Sequence, residues 1–268
     1  MVVFPGCKIN IGLNITGKRA DGFHFLQSVF YPINISDILE IIPNKHFEIK
    51  TTGIPINGNL EDNLVAKAYF LYKNKYNIPP VKIHLHKVVP IGAGLGGGSA
   101  DAAATLVVLN SIFDLNISNL DLQKDADLLG SDCAFFIKNK PALVQGKGEI
   151  ITPASLHLKG FFIQLVYPKI HISTKDAFAN LNWSEKQNDL NKLIQLPLEN
   201  WKEHITNDFE STVFPLHTEI EPIKTKLYKN GAIFASMTGT GSAVYGIFKQ
   251  KPTLQFPNYF EKIIPLHY

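Results

Sequence analysis

Between Pro90 and Asn110 the chain reads PIGAGLGGGSADAAATLVVLN, with Gly92, Gly94, Gly96, Gly97 and Gly98 running into an Ala/Leu/Val stretch. Closely spaced glycines let a backbone approach an anion without Cβ interference. The free N–H groups of a first helical turn add donors and partial positive charge. The chemistry that fits this spacing is phosphate binding, with Ser99 predicted as N-cap of a helix that Ala100 onward favours. A Walker A loop is excluded, because Ser99 and Ala100 follow Gly98 where that loop needs Lys and Ser/Thr. Gly92, Gly94 and Gly97 formally satisfy G-x-G-x-x-G, and Asp114 lies near the distance of a ribose-binding acid. The preceding strand argues against a dinucleotide fold. Val81 to Val88 alternates apolar and polar as a half-exposed antiparallel strand does, whereas the first Rossmann strand is apolar throughout.

Phosphoryl transfer also asks for a cation near the transferring group and a carboxylate able to take a hydroxyl proton. Lys8 heads an alternating strand, with Asn10 on the same face two residues later. Asp132 lies in GSDCAFF, read as a polar turn leading into an apolar strand. A second glycine cluster, MTGTGS, sits between two further strands near the C-terminus.

The elements that must position these residues follow from periodicity and punctuation. Strands are predicted at Cys7 to Ile15, Ser28 to Ile35, Leu39 to Ile42, Phe47 to Thr52, Phe161 to Tyr167, Ala232 to Ser236 and Ala243 to Phe248. Asp62 is expected to cap a helix from Asn63 to about Lys75, and Ser118 one running to Leu129; further helices are expected from Thr174 to Asn180 and from Glu219 to Lys229. Antiparallel strands followed by helices in each half make the class α+β, in two domains, 1–152 and 153–268.

Composition is that of an ordinary globular chain of 268 residues, 45% hydrophobic and 18% charged. A net charge of +3, spread without a dense basic run, gives no footprint for nucleic acid. No apolar stretch approaches the roughly 20 residues of a membrane span, and the N-terminus lacks the pattern of a signal peptide. A cytoplasmic protein is expected. The two cysteines, Cys7 and Cys133, make no disulfide framework and read as buried thiols facing away from the site.

KINIGL with GKRADGFHFLQSV, the loop PIGAGLGGGSADAA, and MTGTGSAVYG resemble the three motifs of the GHMP kinases. GKRADGFHFL narrows the resemblance to the group with a cytidyl substrate, and NLVAKA, GSDCAFF and NDFE extend it over nearly the whole chain. The resemblance implies a two-domain fold of mixed and antiparallel sheets with helices, and an active site in the cleft between domains. It implies transfer of the ATP γ-phosphate, with Mg²⁺ carried by ATP and no dedicated protein cage, to the 2-hydroxyl of 4-diphosphocytidyl-2-C-methyl-D-erythritol.

By position, Asp132 matches the aspartate that accepts the hydroxyl proton, and Lys8 the lysine near hydroxyl and γ-phosphate. Asn10 matches a polar residue beside them. Pro90, Gly92, Gly94, Leu95, Gly96, Gly97, Gly98, Ser99 and Ala100 match the ATP phosphate loop, joined by Gly239, Thr240 and Gly241; Asn63 matches an adenine-side contact. His24 matches the residue that reads the cytosine edge, Phe23 and Phe178 the aromatic pair around the base, and Thr174 a further substrate contact. Phe23 stands where the family commonly has Tyr, so a phenol hydrogen bond is lost. Ser99-Ala100-Asp101 replaces a Ser-Ser-Asn variant, putting a carboxylate at the expected first helical turn. Another GHMP small-molecule kinase, for mevalonate, phosphomevalonate or homoserine, is the alternative, disfavoured by GKRADGFHFL. A nucleotide-binding module without catalysis would lack Lys8 or Asp132. A monomer or weak homodimer is expected, with a small-molecule partner and neither nucleic acid nor membrane.

Overall fold

The computed structural model describes residues 1–18, 24–56, 58–179, 181 and 189–268. The strands are β1 (Val2–Val3), β2 (Gly6–Lys18), β3 (His24–Ser36), β4 (Ile38–Pro43), β5 (Glu48–Gly53), β6 (Val81–Lys87), β7 (Ala142–Gly146), β8 (Ile150–Pro153), β9 (Phe162–Tyr167), β10 (Phe234–Met237), β11 (Val244–Phe248) and β12 (Phe260–Pro265). The helices are α1 (Leu64–Tyr76), α2 (Gly97–Ile112), α3 (Asn119–Asp127), α4 (Cys133–Lys138), α5 (Thr174–Ala179), α6 (Leu190–Leu193), α7 (Trp201–His204), α8 (Glu210–Leu216) and α9 (Glu221–Lys229).

Two compact units interleave along the chain: Met1–Lys8, Asn34–Ile91 and Gly96–Lys140 form one, and Ile9–Ile33, Gly92–Leu95 and Pro141–Tyr268 the other. In the first unit the sheet order is β1-β4-β6-β5, antiparallel except where β5 runs parallel to β6. The alternation of β6 buries Val81, Ile83, Leu85 and Lys87 on one face, as period two requires. A helix buried on most sides must be apolar on most sides. α2 meets that condition with Ala102, Ala103, Leu106, Val108 and Leu109 buried, and it packs against α1, α3, α4 and β4.

The second unit holds an antiparallel sheet ordered β10-β11-β9-β12, with α9 laid on β10 and β11. Every residue of β11 is buried, and Val244 pairs with Val166 of β9. Its core gathers Leu13, Ile15, Phe209, Val213, Ile220, Leu227 and Met237. A further sheet is ordered β2-β3-β7-β8.

Three local readings are corrected. The glycine-loop helix starts at Gly97, not Ser99: Gly96 is the N-cap, at φ 70°, with no side-chain capping bond. Glycine alone enters that left-handed region without a Cβ penalty, so the turn falls there and Ser99 becomes the third helical residue. Asn63, not Asp62, caps α1, its side chain accepting from Val65 N at 2.9 Å. Residues 133–138 are helix, not strand. Cys133, Ala134, Phe135 and Phe136 are all buried, and a short run with no polar face carries no period to tell the two apart. Among the described residues no helix is long and apolar enough to cross a membrane.

Candidate active site

In the first unit, β2 carries Lys8, 3% exposed, and the turn before α4 carries Asp132. Lys8 Nζ lies 3.5 Å from Asp132 Oδ2, with the Asp132 side chain about one-third exposed at 32%. Asp132 holds the N-cap position of α4 but makes no capping bond through its side chain, which leaves the carboxylate available for chemistry. A Cβ placed on Gly96 would sit 3.3 Å from Lys8 Cε, so the lysine stem runs against the residue that starts α2. The N–H groups of Gly97, Gly98 and Ser99 head that helix, whereas Ala100 N is already bonded to Gly96 O at 2.9 Å. A cation, an exposed carboxylate and open backbone donors thus share one corner of this unit.

Behind the glycine loop lies a buried charge cluster. Lys87 Nζ donates to Asp37 Oδ2 and, at 2.7 Å, to Asp101 Oδ2. Asp37 Oδ1 accepts from Val88 N at 2.6 Å and Val89 N at 2.9 Å. Burial pushes the Asp101 carboxyl up to about 7, with Lys87 opposing and Asp37 adding to the rise. Burial works to lower the Lys87 ammonium, but Asp101 and Asp37 outweigh it and hold it above its ordinary value. The alternation of β6 carried the signal for this cluster, since it places Lys87 in phase with Val81, Ile83 and Leu85. A lysine on a core face requires an acid partner.

Cys7 is fully buried, and its thiol is pushed to about 12 by burial and by Asp37, with Lys8 and Lys87 opposing. Cys133 is buried beside Ser99, with which it shares a side-chain hydrogen bond, and burial lifts its thiol to about 11. Both thiols are interior as expected, but Cys133 does not face away from the site: it starts α4 rather than a strand, and its thiol meets Ser99 of the glycine loop.

In the second unit Thr238 is the hub. Its Oγ1 accepts from Asn10 N at 3.0 Å and lies 3.1 Å from both Asn10 Oδ1 and Gly94 O, either of which takes its single proton. Asn10 Nδ2 donates to Ser28 Oγ at 2.8 Å, Ser28 donates to Gly12 O at 2.6 Å, and Tyr245 OH donates to Asn10 O at 2.8 Å. Asn207 Nδ2 donates to Met237 O and Gly239 O, fixing the second glycine cluster from below. Gly94, at φ 78°, approaches so closely that a Cβ there would stand 2.1 Å from Thr238 O. Gly94 and the second glycine cluster therefore pack as one assembly in this unit, with the buried Asn10 bonded into it.

His24 stacks on Phe178, ring centroids 5.0 Å apart at 20°, and Phe178 in turn meets Phe209 edge-on at 4.8 Å. Thr174 is exposed at the start of α5. Phe23 lies outside the described residues.

The sequence-predicted residues thus fall into three groups: Lys8, Asp132 and Gly96 to Ser99 together; Asn10, Gly94 and Gly239 together; His24 with Phe178. Pro90, Leu95, Gly97 and Ala100 are buried scaffold of the loop, while Gly92 and Gly98 are exposed. Asn63 caps α1, and Thr240 and Gly241 continue the turn that Thr238 anchors. The residues the sequence did not single out are Asp37, Lys87, Thr238 and His171, whose Nδ1 would lie 2.7 Å from a Cβ on Gly92. His171 has no local signal; only tertiary packing brings it to the loop.

The family model of the GHMP kinases N terminal domain matches residues 63–140, and that of the GHMP kinases C terminal matches 186–256. The chain is 48% identical over 258 residues to a 4-diphosphocytidyl-2-C-methyl-D-erythritol kinase of Bacteroides thetaiotaomicron, covering 95% of this chain and 94% of that protein. It is 35% identical to the protein of that name from Clostridioides difficile, covering 91% and 85%. A crystal structure of 4-(cytidine 5'-diphospho)-2C-methyl-D-erythritol kinase matches at TM-score 0.79 and 26% identity, over 92% of this chain and 90% of that one. The mevalonate kinase of Methanococcus jannaschii, at TM-score 0.70 and 14% identity over 100% and 98%, shares the fold.

Proposed function

The chain belongs to the 4-diphosphocytidyl-2-C-methyl-D-erythritol kinases of the GHMP kinase family, and from that premise we propose how its own residues divide the work. The enzyme transfers the ATP γ-phosphate to a hydroxyl of its cytidyl substrate, the 2-hydroxyl in this reading. Asp132 takes the hydroxyl proton, and Lys8 faces the developing alkoxide and the γ-phosphate with fixed positive charge. The open N–H groups of Gly97 to Ser99 hold phosphate oxygens. Within the second unit, Thr238 holds Asn10 and the Gly94 carbonyl in place. His24 reads the cytosine edge, Phe23 and Phe178 are the aromatic pair around the base, with Phe178 stacked on His24, and Asn63 contacts the adenine side. Mg²⁺ enters on ATP. The Asp101 carboxylate, one turn along α2, is engaged by Lys87.

The observation that carries this reading is the Lys8–Asp132 pair, 3.5 Å apart, with Lys8 against the N-cap of α2. The division into halves at 1–152 and 153–268 has one family-model match in each half, although the compact units interleave, with Ile9–Ile33, Gly92–Leu95 and the chain from Pro141 in the second. Our reading is a cytoplasmic monomer or weak homodimer with no nucleic-acid or membrane partner. A coupled ADP-release assay tests the substrate: turnover is expected with the cytidyl compound and not with mevalonate or homoserine. Release with mevalonate alone would overturn the assignment.

A further inference from the structure

We propose that Asp101 is a positioning residue of the glycine loop and a proton acceptor linked to it: nucleotide phosphate binding at the first turn of α2 drives a proton from solvent onto Asp101. The inference rests on the reading of that turn as the phosphate site.

Charge counting begins the argument. Lys87, Asp37 and Asp101 are all buried, at 3%, 0% and 1% exposure, so one cation faces two acids with almost no water. An uncompensated charge there is costly, and a proton on one acid removes it. Hydrogen bonding decides which acid. Asp37 accepts two backbone N–H groups on Oδ1 and the ammonium on Oδ2. Asp101 accepts from Lys87 on Oδ2, its carboxyl also meets that of Asp37 side chain to side chain, and its buried Oδ1 has no hydrogen-bond partner among the described residues. With Asp37 already accepting from three donors, the proton belongs on Asp101, where it can bond to the neighbouring carboxylate. The carboxyl is accordingly lifted to about 7, where a modest change in local charge shifts its occupancy.

Position supplies the linkage. Asp101 stands one turn along α2 from Gly97, and a Cβ on Gly97 would lie 3.5 Å from Lys87 Nζ. The ammonium therefore lies against the first turn of α2, whose N–H groups would hold phosphate, and bonds to Asp101 one turn further along the same face. Asp37 binds the N–H groups of Val88 and Val89, where the chain enters the loop. The cluster thus ties down both ends of the loop. Phosphate arriving at the turn adds negative charge about two helical turns or less from Asp101, in a medium of low dielectric, and so favours its protonated form. The charges acting on Asp101 are Lys87 at the end of β6 and Asp37 in the link between β3 and β4. Lys8 and Asp132 lie at the N-cap end of the same helix. Among the described residues α1, α3, α4 and β4, which also pack on α2, add no charge to that set.

The test is calorimetric titration of the whole protein with Mg-ADP, in buffers of low and high ionisation enthalpy, for wild type and Asp101→Asn. The nucleotide's own protonation is common to both proteins. Wild type is expected to take up more protons than the variant at pH 7.5, by up to one per site. Its affinity should fall by up to about tenfold per pH unit from 7 to 8.5 more steeply than the variant's. Equal uptake and equal slopes would overturn the proposal. Absence of Mg-ADP binding in both proteins would instead remove the phosphate reading itself, and the inference with it. Infrared difference spectra of wild type decide the case even if the variant does not fold. Adding Mg-ADP at pH 7.5 should produce a protonated-carboxyl band, and no such band overturns the proposal.

Discussion

Lys8 and Asp132 form an ion pair whose two members differ in surroundings: the lysine is interior and the aspartate about one-third exposed. A general base must be reachable by its substrate, and the lysine, held against Gly96, is the fixed partner. Asp132→Asn keeps the shape and loses the base, so kcat should fall by about a hundredfold or more with ATP affinity nearly unchanged; steady-state kinetics and nucleotide titration measure both. A matching loss of ATP binding would make Asp132 a structural residue. His24 stacks on Phe178 in the second unit, and a histidine held by one ring face keeps its edge nitrogens free to read a base. His24→Ala is expected to raise KM for the cytidyl substrate about tenfold or more while kcat changes little, and an unchanged KM would take His24 out of the base pocket. Residue types and motif spacing made these candidates visible. Sequence did not show that Asn10 is buried on Ser28 and Thr238, because a strand gives a residue's face and not what stands opposite it.

At the scale of elements, the glycine loop is held by two devices of different kinds. One is steric: Gly94 approaches Thr238 so closely that Gly94→Ala would bring a Cβ to 2.1 Å from a backbone oxygen, at a φ of 78° that L residues rarely adopt. Neither the strand β10 nor the turn after it can give way easily, so the variant should lose on the order of 1–3 kcal/mol and bind ATP more weakly. Thermal unfolding and nucleotide titration would register both, and a Gly94→Ala protein of wild-type stability would show that the contact is slack. The other device is the Lys87 cluster, whose half-exposed strand was legible from alternation alone. The start of α2 was less so, since a run of glycines offers several equivalent left-handed positions and only packing selects Gly96. The helix at Cys133–Lys138 escaped for a related reason: its first four residues are all buried, and so short a run offers no polar phase to distinguish the periods.

For the whole molecule, buried ionisable groups make stability depend on pH at both sides of neutrality. Asp101 holds its proton up to about pH 7, against 3.8 for the ordinary carboxyl, so between roughly pH 4 and 7 the native state binds a proton that the unfolded chain has released. Stability from this group therefore falls as pH rises through that window and is level above it. Asp101→Asn removes one of two acids that share a single lysine, leaving Lys87 and Asp37 matched, so the variant should lack this slope. The thiols act further up the scale. Cys7 and Cys133, lifted by burial to about 12 and about 11 from 9.0, stay protonated in the fold where the unfolded chain ionises. Tyr31, lifted by burial to about 12 from 10.0, acts in the same direction. Their stabilisation is complete below about pH 9 and is lost as pH climbs toward the folded values, so the protein should unfold more readily from pH 9 upward. Denaturant midpoints measured from pH 5 to 10.5 on wild type and Asp101→Asn separate the two effects: the curves should diverge between pH 5 and 7 and descend together above 9. In the same series both thiols should resist alkylation at pH 8 until denaturant unfolds the chain. Rapid alkylation of native protein would show that a cysteine is open to solvent, and the alkaline descent would then need another source.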